Sequence, residues 1–194
     1  TPLLFIFSLF TMMGLMFIAS SSYIYEVTFG VSSQVYSFYY AMFGVGIALG
    51  PASYILLSRR IERNTIMTAC FLVCAASGIL VLLVGVRGPW SFILSFAPAT
   101  VAFGCVRPPS TYLMLQQHEA DAGSVSGLIT ASNMVMGSIG TVIVSVDLWG
   151  RVELMGVFML GVSLLGFILW MGIGRPRVRA QASAQSQAAA EAEV

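Results

Sequence analysis

The chain has 194 residues, of which 58% are hydrophobic and only 9% are charged, and its mean hydropathy is +0.90. Because about a quarter of the residues are charged in an ordinary soluble domain, this composition excludes one and predicts an integral membrane protein. The net charge of +1 gives no indication of a nucleic-acid partner, and we expect none.

Six apolar segments reach the length of about 20 residues that a membrane-crossing helix needs. They run from Pro2 to Tyr25, Gln34 to Leu57, Ile66 to Val86, Trp90 to Gln116, Ser124 to Val146 and Leu154 to Gly174. We therefore predict an all-α integral membrane fold of six transmembrane helices within residues 1–175. Residues 176–194 are rich in Ala, Gln and Ser and predict a cytoplasmic low-complexity tail. Since the first span starts almost at Thr1, we expect the chain to be part of a longer protein.

The arginines predict the orientation of these spans. Short loops on the cytoplasmic side of a membrane carry more Lys and Arg than those on the other side. Six arginines fall in the second loop and the tail, and two in loops on the opposite face; they are Arg59, Arg60, Arg63, Arg175, Arg177 and Arg179, against Arg87 and Arg151. Both termini are therefore predicted to be cytoplasmic.

The six spans divide into two triplets. The third helix of each is apolar nearly all round, as expected for a helix that faces lipid. The second helix of each carries a G-x-x-x-G pair, Gly46/Gly50 followed by Pro51, and Gly123/Gly127 with Gly137 on the same face. Because three is odd, the triplets would form an inverted repeat. The glycine faces either pack helices within this chain or meet a partner outside it, and we favour the partner.

The fourth helix contains the one charged residue well inside a span, Arg107. It shares a stripe with Phe96, Thr100, Phe103 and Thr111, and Pro98, Pro108 and Pro109 interrupt the same helix. An intramembrane Arg normally faces a cavity or a carboxylate, and its long side chain can alternatively reach the membrane surface. Both readings stay open, and the spans offer no Asp or Glu deep enough to pair with it.

Other reactive side chains give weaker indications. Cys70 and Cys74 share a helical face without His or Asp nearby, so we interpret them as packing residues and expect no metal site. His118, Glu119 and Asp121 could handle protons at the cytoplasmic mouth. We favour a solvated loop whose acidic residues stabilise the start of the fifth helix.

Two stretches carry motifs: Tyr25, Glu26 and Phe29-Gly30-Val31-Ser32 in residues 20–50, and Ala122 to Leu128 with Asn133 in residues 118–140. Together they resemble the Bcr/CflA drug-resistance branch of the major facilitator superfamily, in its C-terminal half. Residues 20–50 are similar to the family's junction of the seventh and eighth helices, with Tyr25, Glu26 and the run Phe29-Gly30-Val31-Ser32. Residues 118–140 resemble the loop into the eleventh helix, with the core Ala122-Gly123-Ser124-Val125-Ser126-Gly127-Leu128 and an amide at Asn133, where the family more often has Gln.

The resemblance implies one half of a twelve-helix antiporter in the bacterial inner membrane that exports drug-like or small metabolite molecules. Its energy source would be the proton gradient, with no cofactor, and its partners lipid, the substrate and an N-terminal half or a second copy. The first and fourth helices would line the substrate path, with Phe96, Thr100, Phe103, Arg107, Thr111 and Asn133 as candidates. The glycine faces, with Pro51, would form the interface between halves.

Two other functions are considered. A rhomboid-like intramembrane protease needs a G-x-S-G motif and a membrane His as base. Here Ser124-Val125-Ser126-Gly127 lacks the preceding Gly and His118 lies in a loop, so we expect a transporter and not an enzyme. A channel or a homodimeric six-helix transporter remains the alternative.

Overall fold

The computed structural model describes residues 2–115, 122–145, 150–176 and 178. Six helices long and apolar enough to cross a membrane make up this part of the chain. They are α1 (Pro2–Ser22), α2 (Ser33–Ser58), α3 (Arg63–Leu83), α4 (Pro89–Leu115), α5 (Ala122–Ser145) and α6 (Arg151–Leu169). The described part contains no strand. The predicted loop residues His118, Glu119 and Asp121, and residues 179–194 of the predicted tail, lie outside it.

The helices follow the predicted spans, with differences at several ends. α1 continues as a π-helical segment, Tyr23–Thr28, and α6 continues as another, Trp170–Gly174. α3 begins at Arg63 and α6 at Arg151, three residues before the predicted starts at Ile66 and Leu154. Apolar content marks where hydrocarbon begins, whereas backbone hydrogen bonding extends the helix one turn further into the polar interface.

The packing supports the predicted repeat, because every main contact has a counterpart when α1, α2 and α3 are exchanged with α4, α5 and α6. α2 packs on α4 as α5 packs on α1, α3 packs on α4 as α6 packs on α1, and α3 and α6 pack on each other. Successive spans cross in opposite directions, so the two triplets are inverted relative to one another. This is the arrangement of an inverted-topology repeat.

Aromatic rings fill the core between α1, α2 and α4. Phe17 of α1 stacks on both Phe43 of α2 and Phe96 of α4, with ring centroids 4.4 Å apart in each pair. Closer to the end of α1, Tyr25 stacks on Tyr39 at 4.8 Å. Stacked rings supply the van der Waals contact that holds helices together where lipid competes equally for apolar surface.

Gly46 and Gly50 of α2 pack inside this chain, which differs from the partner-facing role that we favour from the sequence. A Cβ added to Gly46 would lie 2.9 Å from the Cβ of Thr100 in α4. Gly50 is buried against the backbone of Gly104 in the same helix. Because neither glycine has a side chain, α2 and α4 approach closely enough to exclude another helix from this face. Gly46 and Gly50 therefore seal α2 to α4 rather than face a missing partner, while Pro51 beside them is half-buried.

The glycines of α5 divide between two environments. A Cβ on Gly137 would meet the side chain of Leu15 in α1, 3.2 Å from its Cγ. One on Gly140 would lie 2.9 Å from the backbone oxygen of Met12. In contrast, Gly123 and Gly127 are exposed and have no atom within 4 Å of such a Cβ. Gly137 thus packs within the chain, and only the N-terminal part of the α5 glycine face is open.

Two cation–π contacts join helix ends in the way that alternating membrane crossing requires. Arg63, at the start of α3, lies over the ring of Tyr112 near the end of α4, 5.7 Å from its centroid. Arg151, at the start of α6, lies 3.4 Å from the ring centroid of Tyr23 at the end of α1. Arg59 and Arg60 are exposed next to Arg63. The loop after α2 and the end of α4 are therefore on one face, with the loops after α1 and before α6 on the other.

Candidate functional site

A cavity of about 390 Å³ lies between α1, α2, α4 and α5. α3 and α6 contribute none of its lining residues. Seventeen residues line it: Phe7, Phe10, Thr11, Gly14, Leu15 and Ile18 from α1, Phe43 and Ile47 from α2, Phe103, Val106, Arg107, Ser110 and Thr111 from α4, and Ile129, Thr130, Asn133 and Met134 from α5. Its volume falls in the range of about 300–1,000 Å³ that is usual for small-molecule sites.

The polar part of the lining comes mainly from α4 and α5. The Thr11 hydroxyl of α1 donates a hydrogen bond to Oδ1 of Asn133, with 3.2 Å between the oxygens. Ser110 and Thr130 donate to backbone carbonyls of their own helices, those of Arg107 and Ser126, each at 2.9 Å. The side chain of Arg107 is exposed and lines the cavity. Arg107 therefore belongs to the lining of this cavity.

The apolar part of the lining is aromatic. Phe10 of α1 and Phe103 of α4 meet edge to face, with ring centroids 6.0 Å apart. Phe7 lies one turn before Phe10 in α1, and Phe43 lies in α2. Phe7 also contacts Trp170 at 5.8 Å, so the wall is supported by the continuation of α6. Such rings give a broad apolar surface against which a flat organic molecule can pack.

The structure brings together four of the six substrate-path candidates: Phe103, Arg107, Thr111 and Asn133 line the cavity. Phe96 and Thr100 lie elsewhere. Phe96 is fully buried in the aromatic core, and Thr100 is buried against Gly46 and donates to the carbonyl of Ala97. The stripe on α4 therefore begins in the buried core and ends in the cavity. The helices around α4 are in close contact near Phe96 and Thr100 and separate from one another near Arg107 and Thr111.

The family resemblance predicts that α1 lines the substrate path, but it indicates no particular residue of α1 and does not place α2 there. Thr11 and Gly14 interrupt the apolar run of α1, and Phe7 and Phe10 lie within one turn of Thr11. A polar and a small residue three positions apart in an apolar span were the available signal, since such residues mark helix contacts in membranes. No group of three or more His, Cys, Asp or Glu side chains capable of holding a metal occurs in the described part of the chain.

Comparison with known proteins identifies the family. Residues 1–141 match the family described as Major Facilitator Superfamily. The chain belongs to this superfamily. Over 168 residues, or 84% of its length, it is 23% identical to the uncharacterized MFS-type transporter YdgK of Bacillus subtilis (strain 168). The chain spans 40% of the length of that relative. No solved structure matches it.

Within this Major Facilitator Superfamily chain, α2 and α5 are the least covered helices. Only 11% of the apolar stretch of each is buried, against 61% for α1 and for α4. Both helices also line the cavity. Val45, Leu49, Leu128, Val135 and Val142 are among the exposed apolar side chains on them. The site is thus flanked by the two helices with the most uncovered apolar surface.

Proposed function

We propose that the chain acts as the C-terminal half of a twelve-helix, proton-coupled exporter of drug-like or small metabolite molecules, of the Bcr/CflA type. The family match and the two motif stretches, residues 20–50 and 118–140, support this assignment. So does the length of the related transporter, of which the chain spans 40%.

One observation carries the proposal: the cavity lies beside the two least covered helices, α2 and α5. A binding site at the boundary between two repeated units is the common arrangement in secondary transporters. A second six-helix unit seated on α2 and α5 would bury their apolar surface and complete the cavity wall. This half-to-half interface would include Gly123 and Gly127, which are open, but not Gly46 and Gly50, which α4 already covers.

Proton coupling is assigned to the proposed partner half. The described lining of the cavity contains no Asp, Glu or His that could carry a proton. We therefore expect the coupling carboxylate on the N-terminal half, facing α1, α2, α4 or α5.

We also propose that the protein resides in the bacterial inner membrane with both termini cytoplasmic. The positions of Arg59, Arg60 and Arg63 support this orientation. Labelling of single cysteines with a membrane-impermeant maleimide would test it, with the three native cysteines replaced by serine. A cysteine at Arg87 should react in intact cells and one at Arg60 only after permeabilisation, and the opposite pattern would contradict the proposal.

The transport proposal is tested by co-expression in bacteria that lack their main drug exporters. We expect the chain alone to give no export, and the chain with the matching N-terminal half to lower the accumulation of a panel of drug-like compounds. A protonophore should abolish that difference. The N-terminal half of an unrelated superfamily member serves as the control, because it should not assemble. Strong export by the chain alone, with dimers captured by cross-linking, would instead identify a homodimeric transporter.

A further inference from the structure

We propose that the cavity selects amphipathic organic anions, held by Arg107 and the amide of Asn133. This inference rests on the proposed transport function and names the class of molecule that the same site accepts. It differs from the expectation of general drug export, because it assigns a charge to the substrate.

Arg107 carries a positive charge that no described residue compensates. Its guanidinium makes no hydrogen bond and no ion pair with any residue that the structure describes, and the described lining contains no carboxylate. The sequences of α4 and α5 contain no Asp or Glu at all. A cation in a span is costly unless it meets water or an opposite charge. Attraction of an anion into the cavity would supply that charge in a medium where electrostatic interactions are strong.

The hydrogen bonds around Asn133 leave its amide nitrogen free to donate. Because the Thr11 hydroxyl donates to Oδ1, the amide nitrogen of Asn133 is the group that remains to donate, and it has no partner among the described residues. The Ser110 and Thr130 hydroxyls already donate hydrogen bonds to backbone carbonyls, so they are not available to donate to a ligand. Arg107, Asn133 and the Thr111 hydroxyl are thus the donors left for a ligand. A cationic donor with two neutral donors and no carboxylate matches a carboxylate, sulfonate or phosphate group.

The rest of the cavity wall is apolar and aromatic. Phe7, Phe10, Phe43 and Phe103 occupy the α1 and α2 side of the cavity and its α4 wall. They would accept an aromatic or aliphatic body while the anionic group faces Arg107. An inorganic anion would leave this surface without contacts, so we infer an organic anion of small-drug size.

The test uses three probes of the same shape: radiolabelled 1-naphthylacetate, its neutral amide and 1-naphthylethylamine. Binding to the purified chain in lipid nanodiscs is measured by equilibrium dialysis. We expect the anion to bind at least tenfold more tightly than the amide, and the amine most weakly. Arg107→Gln should remove the preference for the anion while the amide binds as before, and Arg107→Lys should retain part of it. Asn133→Asp should weaken binding of the anion at least tenfold.

Arg87→Gln is the matched control, since it removes one positive charge from an exposed site outside the cavity. It should leave the preference intact, and thermal unfolding of each variant establishes that it is folded. Equal affinity for anion and amide, preference for the amine, or no binding of any probe by the folded chain would overturn the inference. So would an anion preference lost on assembly with the N-terminal half, because a carboxylate of that half would then be the partner of Arg107. If the protein binds the anion selectively but transports nothing, the proposed function is refuted and this inference stands. If it transports cations, this inference is refuted and the proposed function stands.

Discussion

Gly50 of α2 and Gly104 of α4 touch backbone to backbone, so that a Cβ added to Gly104 would lie 2.8 Å from the Cα of Gly50. The same Cβ would lie 3.1 Å from the carbonyl carbon of Ile47. Real Cβ atoms do not approach backbone this closely, and backbone cannot move aside as a flexible side chain can. The contact between α2 and α4 therefore depends on glycine at both positions.

We predict that Gly104→Ala destabilises the helix bundle by about 1–3 kcal/mol, the usual cost of overpacking. The measurement is the free energy of unfolding in mixed micelles, titrated with a denaturing detergent. Gly44→Ala in α2 is the control, because a Cβ there would meet no atom within 4 Å. That change should be neutral or slightly stabilising, since Ala favours the helix. Equal stability of the two variants would contradict the close contact.

Loss of the side-chain hydroxyl should change the stability of the protein in opposite directions at two neighbouring tyrosines, Tyr25 and Tyr36. Tyr25 is fully buried, and its hydroxyl has no hydrogen-bond partner in the described part of the chain. The ring centroid of Tyr36 lies 5.9 Å from that of Tyr25. The Tyr36 hydroxyl forms a hydrogen bond with the Ser21 hydroxyl, with 2.9 Å between the oxygens. We expect Tyr25→Phe to stabilise the protein and Tyr36→Phe to destabilise it, each by about 1 kcal/mol. Thermal unfolding in detergent would show this, and loss of stability in Tyr25→Phe would reveal a partner for its hydroxyl.

Phe96 and Phe103 belong to the same stripe on α4 but should have separate roles. Phe96 is fully buried and stacks on Phe17 in the core, so Phe96→Ala should lower the unfolding free energy by about 3–5 kcal/mol, the usual cost of truncating a buried Phe. The folded fraction should still bind ligands normally. Phe103 lines the cavity, so for Phe103→Ala the loss of binding free energy should exceed the loss of unfolding free energy. Equilibrium dialysis and thermal unfolding of both variants separate the effects, and a larger binding defect in Phe96→Ala would reverse the assignment.

The six spans could be predicted because an apolar run of sufficient length is a property of the chain alone. The sequence did not predict which face of each helix packs on which neighbouring helix. Gly46/Gly50 and Gly123/Gly127 have the same spacing, yet the first pair is packed against α4 and the second is open. The difference comes from the helix that lies opposite, and one helix's sequence carries no information on that. For the same reason, the helical spacing of α4 places Thr100 and Phe103 on one stripe, yet of these two only Phe103 lines the cavity.

The open part of α5 gives a test of the proposed half-to-half interface. Gly127 is exposed and has no neighbour within 4 Å of an added Cβ, so Gly127→Leu should leave the stability of the chain by itself unchanged within about 0.5 kcal/mol. On assembly, the larger side chain would separate α5 from a partner helix that approaches closely. We expect co-purification with the N-terminal half to fall several-fold, while Gly127→Ala retains most of it. Gly161→Leu in α6, also free of neighbours, controls for the added bulk and should have no effect. Unchanged co-purification of Gly127→Leu would show that the interface lies away from this part of α5.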